Sequence, residues 1–305
     1  MKSIQERLRG SITPVVTPFT DANKVDHDTL KNLINWQIQE GSHGISVTGT
    51  TGEPSSLTLD EREAIFRTTV ATAAGRVPVL LGSGSTNLDE TLRLTHSAEM
   101  AGADAVLVIV PYYNRPSQEG LYQYFTTVAR STSLPVVIYN IPGRTATNIE
   151  PATVKRICQV ADNVIGIKES NRDFEQVTKV LHLMGRGFLV YSGIEALCYP
   201  MLTLGGAGHI SATANILPRQ VADVYNLVVQ GEWEKARELH YYLYSLNDAL
   251  FWETNPGPLK AALGMMGKIR PHLRLPLAPI SQEHYQGLEK VLRQYGVLPE
   301  EGGSD

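Results

Sequence analysis

Short apolar runs alternate with amphipathic segments along the first 215 residues of the chain. Apolar runs bounded by turn residues are typical of buried strands, and apolar residues at helical spacing are typical of helices that cover a sheet. The pattern predicts eight strands: Ser11–Thr17, Gly44–Thr48, Pro78–Gly82, Ala105–Val110, Pro135–Asn140, Val164–Lys168, Phe188–Ser192 and Gly208–Ser211. It predicts helices between them at His27–Glu40, Thr58–Ala73, Asn87–Ala101, Gln118–Ser131, Pro151–Val160, Asp173–Met184 and Glu195–Leu204, and another from Pro218.

The order of these elements predicts the fold class. Eight strands, each followed by a helix, is the count of a (β/α)8 TIM barrel, so we expect an α/β protein of this kind. A doubly wound sheet would be favoured by a GxGxxG turn after the first strand, and the sequence has none there. Further helices are predicted at Trp233–Asn247, Leu259–Met266 and Ser281–Gln294. We therefore expect a barrel domain at 1–231 and a C-terminal helical domain at 232–305, with the polar residues 300–305 frayed.

Composition and charge exclude several function classes. A net charge of −4 without a long basic run argues against nucleic acid as a partner. No apolar stretch reaches the ~18–20 residues of a membrane span, and residues 1–10 lack the apolar core of a signal peptide, so a cytoplasmic enzyme is expected. The eight histidines are dispersed without metal-ligand spacing, so no metal is expected. Cys158 and Cys198 are expected to be buried free thiols.

One lysine interrupts a strand that otherwise reads as buried. In the segment VIGIKES, strand alternation places Val164, Gly166 and Lys168 on one face, and Gly166 is expected to leave room beside the lysine for a small molecule. Burial lowers the pKa of an ammonium, and a neutral amine is a nucleophile toward carbonyls. The alternative is a lysine at a strand end that reaches solvent.

Polar residues follow several of the predicted strands, whose C-terminal ends meet at one mouth in a barrel. The second strand ends in GTTGE, where hydroxyl and backbone N–H groups of Thr50 and Thr51 could hold a carboxylate. Tyr139, at the end of the fifth, could relay protons beside an amine, and Arg144 could bind a second carboxylate. The alternatives are an ordinary turn, a core phenol and a solvated loop arginine.

Four segments carry a resemblance to a known family: GTTGE (Gly49–Glu53), PYYNRPSQEGLY (Pro111–Tyr122), YNIPGRT (Tyr139–Thr145) and GIKES (Gly166–Ser170). They resemble the dihydrodipicolinate synthase and N-acetylneuraminate lyase family of pyruvate-dependent Schiff-base aldolases, and most closely its synthase branch. The resemblance continues through LGGAGHISATAN, NPGPLKAALG and RLPLAPIS. It implies a TIM barrel with a C-terminal helical domain and a homotetramer that is a dimer of dimers. It implies no cofactor beyond the covalent lysine imine with pyruvate.

The resemblance also assigns roles to residues. Lys168 would form the imine, Tyr139 would shuttle protons, and Thr50 would link Tyr139 to Tyr113, which enters the site of the neighbouring subunit. Substrate binding is implied for five positions: Thr51, Arg144, Gly49, Ile210 and Gly193. Among these, Thr51 would hold the pyruvate carboxylate together with Thr50, and Arg144 would meet the carboxylate of L-aspartate 4-semialdehyde.

Two segments depart from the synthase pattern, GIKES in place of GIKEA and SGIE (Ser192–Glu195) in place of SGDD. Both are expected near the site mouth, so the aldehyde acceptor stays open. The leading hypothesis is condensation of pyruvate with L-aspartate 4-semialdehyde to 4-hydroxy-tetrahydrodipicolinate, in lysine biosynthesis. A second hypothesis keeps the imine with a sugar-acid or aromatic aldehyde. A third, of another class, is a non-catalytic barrel that binds a keto acid.

Feedback inhibition by lysine is expected to be weak. In lysine-regulated synthases the effector site is lined partly by the segment after GTTGE, and this chain has Pro54, Leu59 and Arg62 there. Arg62 would repel a cationic effector, and Leu59 offers no hydrogen bond. Glu90 and Tyr112 still match the regulated enzymes.

Overall fold

Eight parallel strands close into a barrel at the centre of the molecule. A computed structural model describes residues 3–298. The strands are β1 Gly10–Pro14, β2 Gly44–Val47, β3 Val79–Gly82, β4 Ala105–Ile109, β5 Val136–Asn140, β6 Val164–Glu169, β7 Leu189–Ser192 and β8 Gly208–His209. Each pairs in parallel with the next, and β8 pairs with β1. The predicted (β/α)8 fold class is therefore confirmed.

Helices surround the barrel and continue beyond it. They are α1 Ile4–Arg7, α2 His27–Gln39, α3 Leu59–Ala73, α4 Leu88–Ala101, α5 Gln118–Arg130, α6 Pro142–Thr145, α7 Pro151–Cys158, α8 Phe174–Met184, α9 Cys198–Thr203, α10 Pro218–Val229, α11 Trp233–Tyr242, α12 Tyr244–Ala249, α13 Gly257–Met265 and α14 Gln282–Gln294. Side-chain caps start several of them, and the Thr58 hydroxyl of α3 forms a capping box with Glu61.

Some helix predictions differ from the structure. The predicted helix Trp233–Asn247 is two helices, α11 and α12, because the N–H of Leu243 shares its hydrogen bond between Leu239 and Tyr241 and the helix tightens there. The predicted helix Glu195–Leu204 begins as a 3-10 turn before α9. The four-residue helices α1 and α6 were not predicted, since one turn carries no apolar periodicity.

The strict alternation predicted for β6 is wrong at its start. Val164 joins the apolar core between the barrel and the helices, whereas Ile165 joins the core inside the barrel. The register shifts opposite this point, between Val136 and Val137 of β5, as at a β-bulge. A Cβ on Gly166 would lie 2.5 Å from the carbonyl oxygen of Leu189, so the glycine allows close strand packing. It does not leave room there for a ligand.

The helices after α10 pack on the barrel and on one another, and part of this region reaches the barrel mouth. Asn255, before α13, donates to Thr51, and Lys260 of α13 pairs with Glu53. The boundary at residue 231 stays a prediction, and the expected frayed residues 300–305 lie outside the described residues. Between residues 3 and 298, no helix is both long and apolar enough to cross a membrane.

Candidate active site

Lys168 and Tyr139 lie side by side at the C-terminal ends of adjacent strands. They are opposite in the register of β5 and β6, and both are buried. The Lys168 ammonium lies 4.2 Å from the centroid of the Tyr139 ring, a cation–π contact. Gly193, after β7, permits this position, since a Cβ there would lie 2.6 Å from Cε of Lys168. The strand geometry thus brings together the two residues that the sequence predicts as nucleophile and proton carrier.

The Tyr139 hydroxyl contacts the hydroxyl of a second predicted site residue, Thr50. It lies 3.3 Å from Oγ1 of Thr50, at hydrogen-bond distance. Tyr113, the third predicted member of the relay, is 91% exposed instead, and its φ of 68° is uncommon for a bulky residue. The structure therefore joins Tyr139 and Thr50 but leaves Tyr113 outside the site of its own chain.

The GTTGE segment forms a short 3-10 turn, Thr50–Gly52, that exposes backbone N–H groups at its start. Thr51 is buried, and its hydroxyl oxygen accepts a hydrogen bond from Nδ2 of Asn255 at 3.1 Å. Because the oxygen is the acceptor in that bond, the hydroxyl keeps its own hydrogen to donate. The carbonyl of Gly52 accepts from the hydroxyl of Thr17 at 2.7 Å, which fixes the turn to the segment that follows β1. This arrangement suits a small carboxylate.

Arg144 lies on α6, which begins at Pro142 as helices often do. Its guanidinium is exposed and donates from Nη2 to the carbonyl of Asn255 at 3.3 Å. A cavity of about 610 Å³ lies between Arg144 and Tyr139. Gly49, Thr50, Asn255, Pro276 and Leu277 also contribute to its wall. Thr50 of the GTTGE segment and Arg144 therefore face one space.

The same cavity extends past the GTTGE segment toward α3 and α4. Pro54, Leu59, Arg62, Glu90 and Tyr112 line this outer part. Arg62 is buried and donates from Nη2 to the carbonyls of Gly82 at 2.7 Å and Gly84 at 3.3 Å. Burial lowers its pKa to about 10, which leaves the group charged at neutral pH.

Several expected site residues are not part of the cavity wall: Thr51, Lys168, Gly193, Ile194, Glu195 and Ile210. Ile210 is buried and its N–H donates to the carbonyl of Ser192 at 2.8 Å, and Glu195 is also buried. Glu195 accepts at Oε1 from the N–H of Ala212 at 2.8 Å, and burial raises its pKa. The carboxylate of Glu195 in the SGIE segment is therefore enclosed within the fold, whereas Ile194 is half-buried.

Sequence reasoning missed the contribution of the C-terminal segment. Asn255 contacts Thr51 and Arg144, and its Oδ1 is buried without a partner in the described structure. Pro276 and Leu277 close the cavity from the same segment. A signal was present in NPGPLK, an asparagine among apolar residues, but nothing local indicates which strand end it meets.

Residues 3–298 contain no group of three or more His, Cys, Asp or Glu side chains that could hold a metal ion. His209, in β8, is buried and its Nε2 lies 3.0 Å from the carbonyl of Val221. Burial lowers its pKa to about 4, so it is neutral and structural. Cys158 and Cys198 are free thiols, Cys198 buried and Cys158 half-buried.

Comparison with known proteins places this site in a family. A profile of the dihydrodipicolinate synthetase family matches residues 7–295. The 4-hydroxy-tetrahydrodipicolinate synthase of Thermus thermophilus is 46% identical over 295 residues, 96% of this chain and 98% of the relative. The crystal structure of dihydrodipicolinate synthase from Aquifex aeolicus superposes with a TM-score of 0.94 at 40% identity, covering 97% of this chain and 100% of that chain.

A further solved structure is a complex with pyruvate. The chloride-inhibited dihydrodipicolinate synthase of Acinetobacter baumannii, complexed with pyruvate, has a TM-score of 0.93 and 35% identity, and the match covers 95% of this chain and 100% of that one. The family profile and these relatives each match nearly the whole chain. This chain therefore belongs to the dihydrodipicolinate synthetase family.

Proposed function

We propose that this chain condenses pyruvate with L-aspartate 4-semialdehyde through an imine on Lys168, giving 4-hydroxy-tetrahydrodipicolinate. One observation carries the proposal: a buried lysine at a strand end lies against Tyr139, whose hydroxyl lies 3.3 Å from Thr50. The relatives carry the name of this synthase, and one is complexed with pyruvate. The chain is a lyase of that family and serves lysine biosynthesis.

The chemistry follows from an amine beside a phenol. The Lys168 amine adds to the ketone carbon of pyruvate, and loss of water gives an iminium. Loss of a methyl proton from this iminium gives an enamine, whose carbon adds to the aldehyde carbon of the acceptor. Tyr139 is the group placed to give and take these protons, with Thr50 as its hydrogen-bond partner. The acceptor's own amine then displaces Lys168 from the imine as the ring closes.

Two anion sites would orient the substrates. The Thr50–Gly52 turn offers N–H groups and the Thr51 hydroxyl to the pyruvate carboxylate, close to the imine. Arg144 uses Nη2 for the carbonyl of Asn255 and keeps its other N–H groups for the acceptor carboxylate. We assign Gly49 to the wall of the pyruvate site, and Gly193 and Ile210 to the strand ends behind it.

We further propose a homotetramer in which Tyr113 completes the relay of a neighbouring subunit. In the single chain the Tyr113 side chain is 91% exposed and its backbone has a strained positive φ, so no packing within the chain compensates for the strain. A neighbouring subunit would bury this side chain. We place the enzyme in the cytoplasm, where free thiols such as Cys158 and Cys198 stay reduced.

An assay of acceptors tests the proposal. Purified protein is incubated with pyruvate and either aspartate semialdehyde, N-acetylmannosamine or glyceraldehyde, and turnover is compared. We expect turnover with the semialdehyde alone. In parallel, borohydride with pyruvate traps the imine, which peptide mapping locates at Lys168. A trapped imine without semialdehyde turnover would move the chain to a sugar or aromatic acceptor, and no imine would leave only a keto-acid binder.

A further inference from the structure

A buried carboxylate lies directly behind the two proposed catalytic residues. Glu169 follows Lys168 in β6, and Asn140 follows Tyr139 in β5, and the two are opposite in register. Alternation along the strands turns their side chains to the outer face of the barrel, toward α8. Glu169 is 1% exposed, although no cation pairs with it among the described residues. The reaction proposed above makes no use of this group.

Two amide side chains donate hydrogen bonds to the carboxylate, and a third amide bonds to both of them. Asn140 donates from Nδ2 to Oε1 of Glu169 at 2.5 Å, and Gln176 of α8 donates from Nε2 to Oε2 at 3.1 Å. Asn148 accepts at Oδ1 from Asn140 at 2.8 Å and from Gln176 at 3.1 Å, and donates from Nδ2 to Oε1 of Gln176 at 2.6 Å. We call Asn140, Asn148, Gln176 and Glu169 the amide cluster.

The carboxylate determines which way the amides face. An ionised carboxylate only accepts hydrogen bonds, so Asn140 and Gln176 must each turn their NH2 group toward it. With Asn140 held in this direction, its Oδ1 faces the N–H of Ile149, which donates to it at 3.3 Å. With Gln176 held, its Oε1 faces the NH2 group of Asn148. If residue 169 were a glutamine, its own NH2 group would face the NH2 group of Asn140 or of Gln176. Two donors cannot form a hydrogen bond with each other.

The amide cluster joins the two ends of the loop between β5 and α7 by hydrogen bonds. Asn140 is the last residue of β5, and Asn148 and Ile149 come after α6, so the bonds from Asn140 join the start and the end of this segment. Arg144 lies in the middle of it. Within the loop, the Arg144 N–H donates to the carbonyl of Ile141 at 2.9 Å, and the Arg144 side chain donates to the carbonyl of Asn255. The bonds of the amide cluster hold the two ends between which this short turn lies.

We propose that Glu169 is a positioning residue for the acceptor: it orients the amide cluster that holds the loop carrying Arg144. This inference rests on the proposed function, in which Arg144 binds the acceptor carboxylate. Glu169 touches neither substrate, so it acts on acceptor binding and leaves imine formation at Lys168 in place. An acceptor with a carboxylate is the class of substrate that needs such a loop.

A double-mutant cycle tests the proposal. The pKa of Glu169 is raised to about 7, so KM is measured at about pH 8, where the carboxylate is mostly ionised. Glu169→Gln keeps the shape and removes the acceptor-only group, and we expect a rise of about ten-fold in the KM for aspartate semialdehyde. Borohydride trapping of pyruvate is expected to change by less than about two-fold. In an Arg144→Ala background the same change should add little, because the residue it positions is gone. Glu175→Gln, an exposed carboxylate on α8, is the matched control and should leave both measurements unchanged.

Asn148→Ala provides a second variant at a half-buried position, should Glu169→Gln fail to fold by circular dichroism. It removes the hydrogen bonds of Asn148 to Asn140 and Gln176 and is expected to raise the same KM. An unchanged acceptor KM in the folded variant, or an increase that persists in full with Arg144→Ala, would overturn the positioning role. If Arg144→Ala itself leaves the acceptor KM unchanged, the proposed function fails instead.

Discussion

The carboxylate of Glu53 and the ammonium of Lys260 form an ion pair whose two side chains are completely enclosed. Glu53 ends the GTTGE segment with a left-handed φ of 54°, and Lys260 lies on α13 at the other end of the chain. Lys260 also donates to the carbonyl of His272 at 2.9 Å and lies 4.2 Å from the centroid of the Phe19 ring. The C-terminal helices therefore support the loop that carries Thr50 and Thr51.

Removing one partner of this pair should destabilise the protein strongly. Lys260→Met leaves a buried carboxylate without its cation, and we expect a loss of ~3–5 kcal/mol in the free energy of unfolding, measured by urea denaturation. The double variant Glu53→Gln with Lys260→Met should recover much of this loss. Lys235→Met, which removes the exposed pair with Glu232, is the control and should cost less than ~1 kcal/mol. Equal losses in Lys260→Met and the control would contradict the prediction.

Lys168 is predicted to be the residue that forms the imine. Lys168→Ala and Lys168→Arg should both abolish borohydride trapping of pyruvate, while circular dichroism and the unfolding midpoint stay near those of the parent. Lys155→Ala, on the solvent side of α7, is a matched control that keeps trapping. An adduct on any lysine other than Lys168 would contradict the assignment.

The fold and the grouping at the mouth were predictable because each rests on a local signal. Eight apolar runs separated by helical patterns leave few alternatives to a barrel, and a barrel brings strand ends together whatever the loops do. Lys168 and Tyr139 lie at the ends of their strands and Thr50 lies in the turn after β2, so their meeting is a consequence of topology. Their catalytic roles stay predictions.

The contacts that order the site were not predictable, because they join segments far apart in sequence. Lys260 lies in the predicted helix Leu259–Met266 and Asn255 lies before it, and no periodicity indicates that they meet Glu53 and Thr51. Glu195 was placed near the mouth by its position after β7, yet the turn that follows directs it to the N–H of Ala212. Such directions depend on backbone geometry within a single turn.

Tyr113 is predicted to act across a subunit interface. Tyr113→Phe removes the hydroxyl and should lower kcat by about 10²-fold, the lower range for loss of a proton-transfer group, while pyruvate trapping at Lys168 changes little. Tyr122→Phe, on α5, is the control for loss of a tyrosine hydroxyl. Sedimentation velocity with activity measured at the same dilutions checks the interface. Full activity in a sample that sediments as a monomer would exclude this role.

Glu169 should make stability depend on pH. Burial raises the pKa of its carboxyl to about 7, against hydrogen bonds from Gln176 and Asn140, and the charge of Asp173 adds to the rise. The folded state therefore holds the proton more tightly than the unfolded state between pH 4.5 and 7, and the free energy of unfolding falls as pH rises through this window. Glu169→Gln lacks this dependence, so its stability relative to the parent should increase from pH 4.5 to 7 in urea titrations. A constant difference would contradict the prediction.

Lysine is predicted to inhibit this enzyme weakly. In the outer part of the cavity, the buried guanidinium of Arg62 adds a positive charge that would repel a cationic effector, and Leu59 offers such an effector no acceptor. Glu90 is already engaged, since Oε2 accepts from the Ser85 hydroxyl at 2.7 Å. We expect half-inhibition only above ~1 mM lysine, which corresponds to a binding free energy of about 4 kcal/mol. Leu59→His adds a hydrogen-bonding group and should strengthen inhibition, whereas Leu59→Met should not. Sub-millimolar inhibition of the parent enzyme would show that Arg62 does not repel the effector.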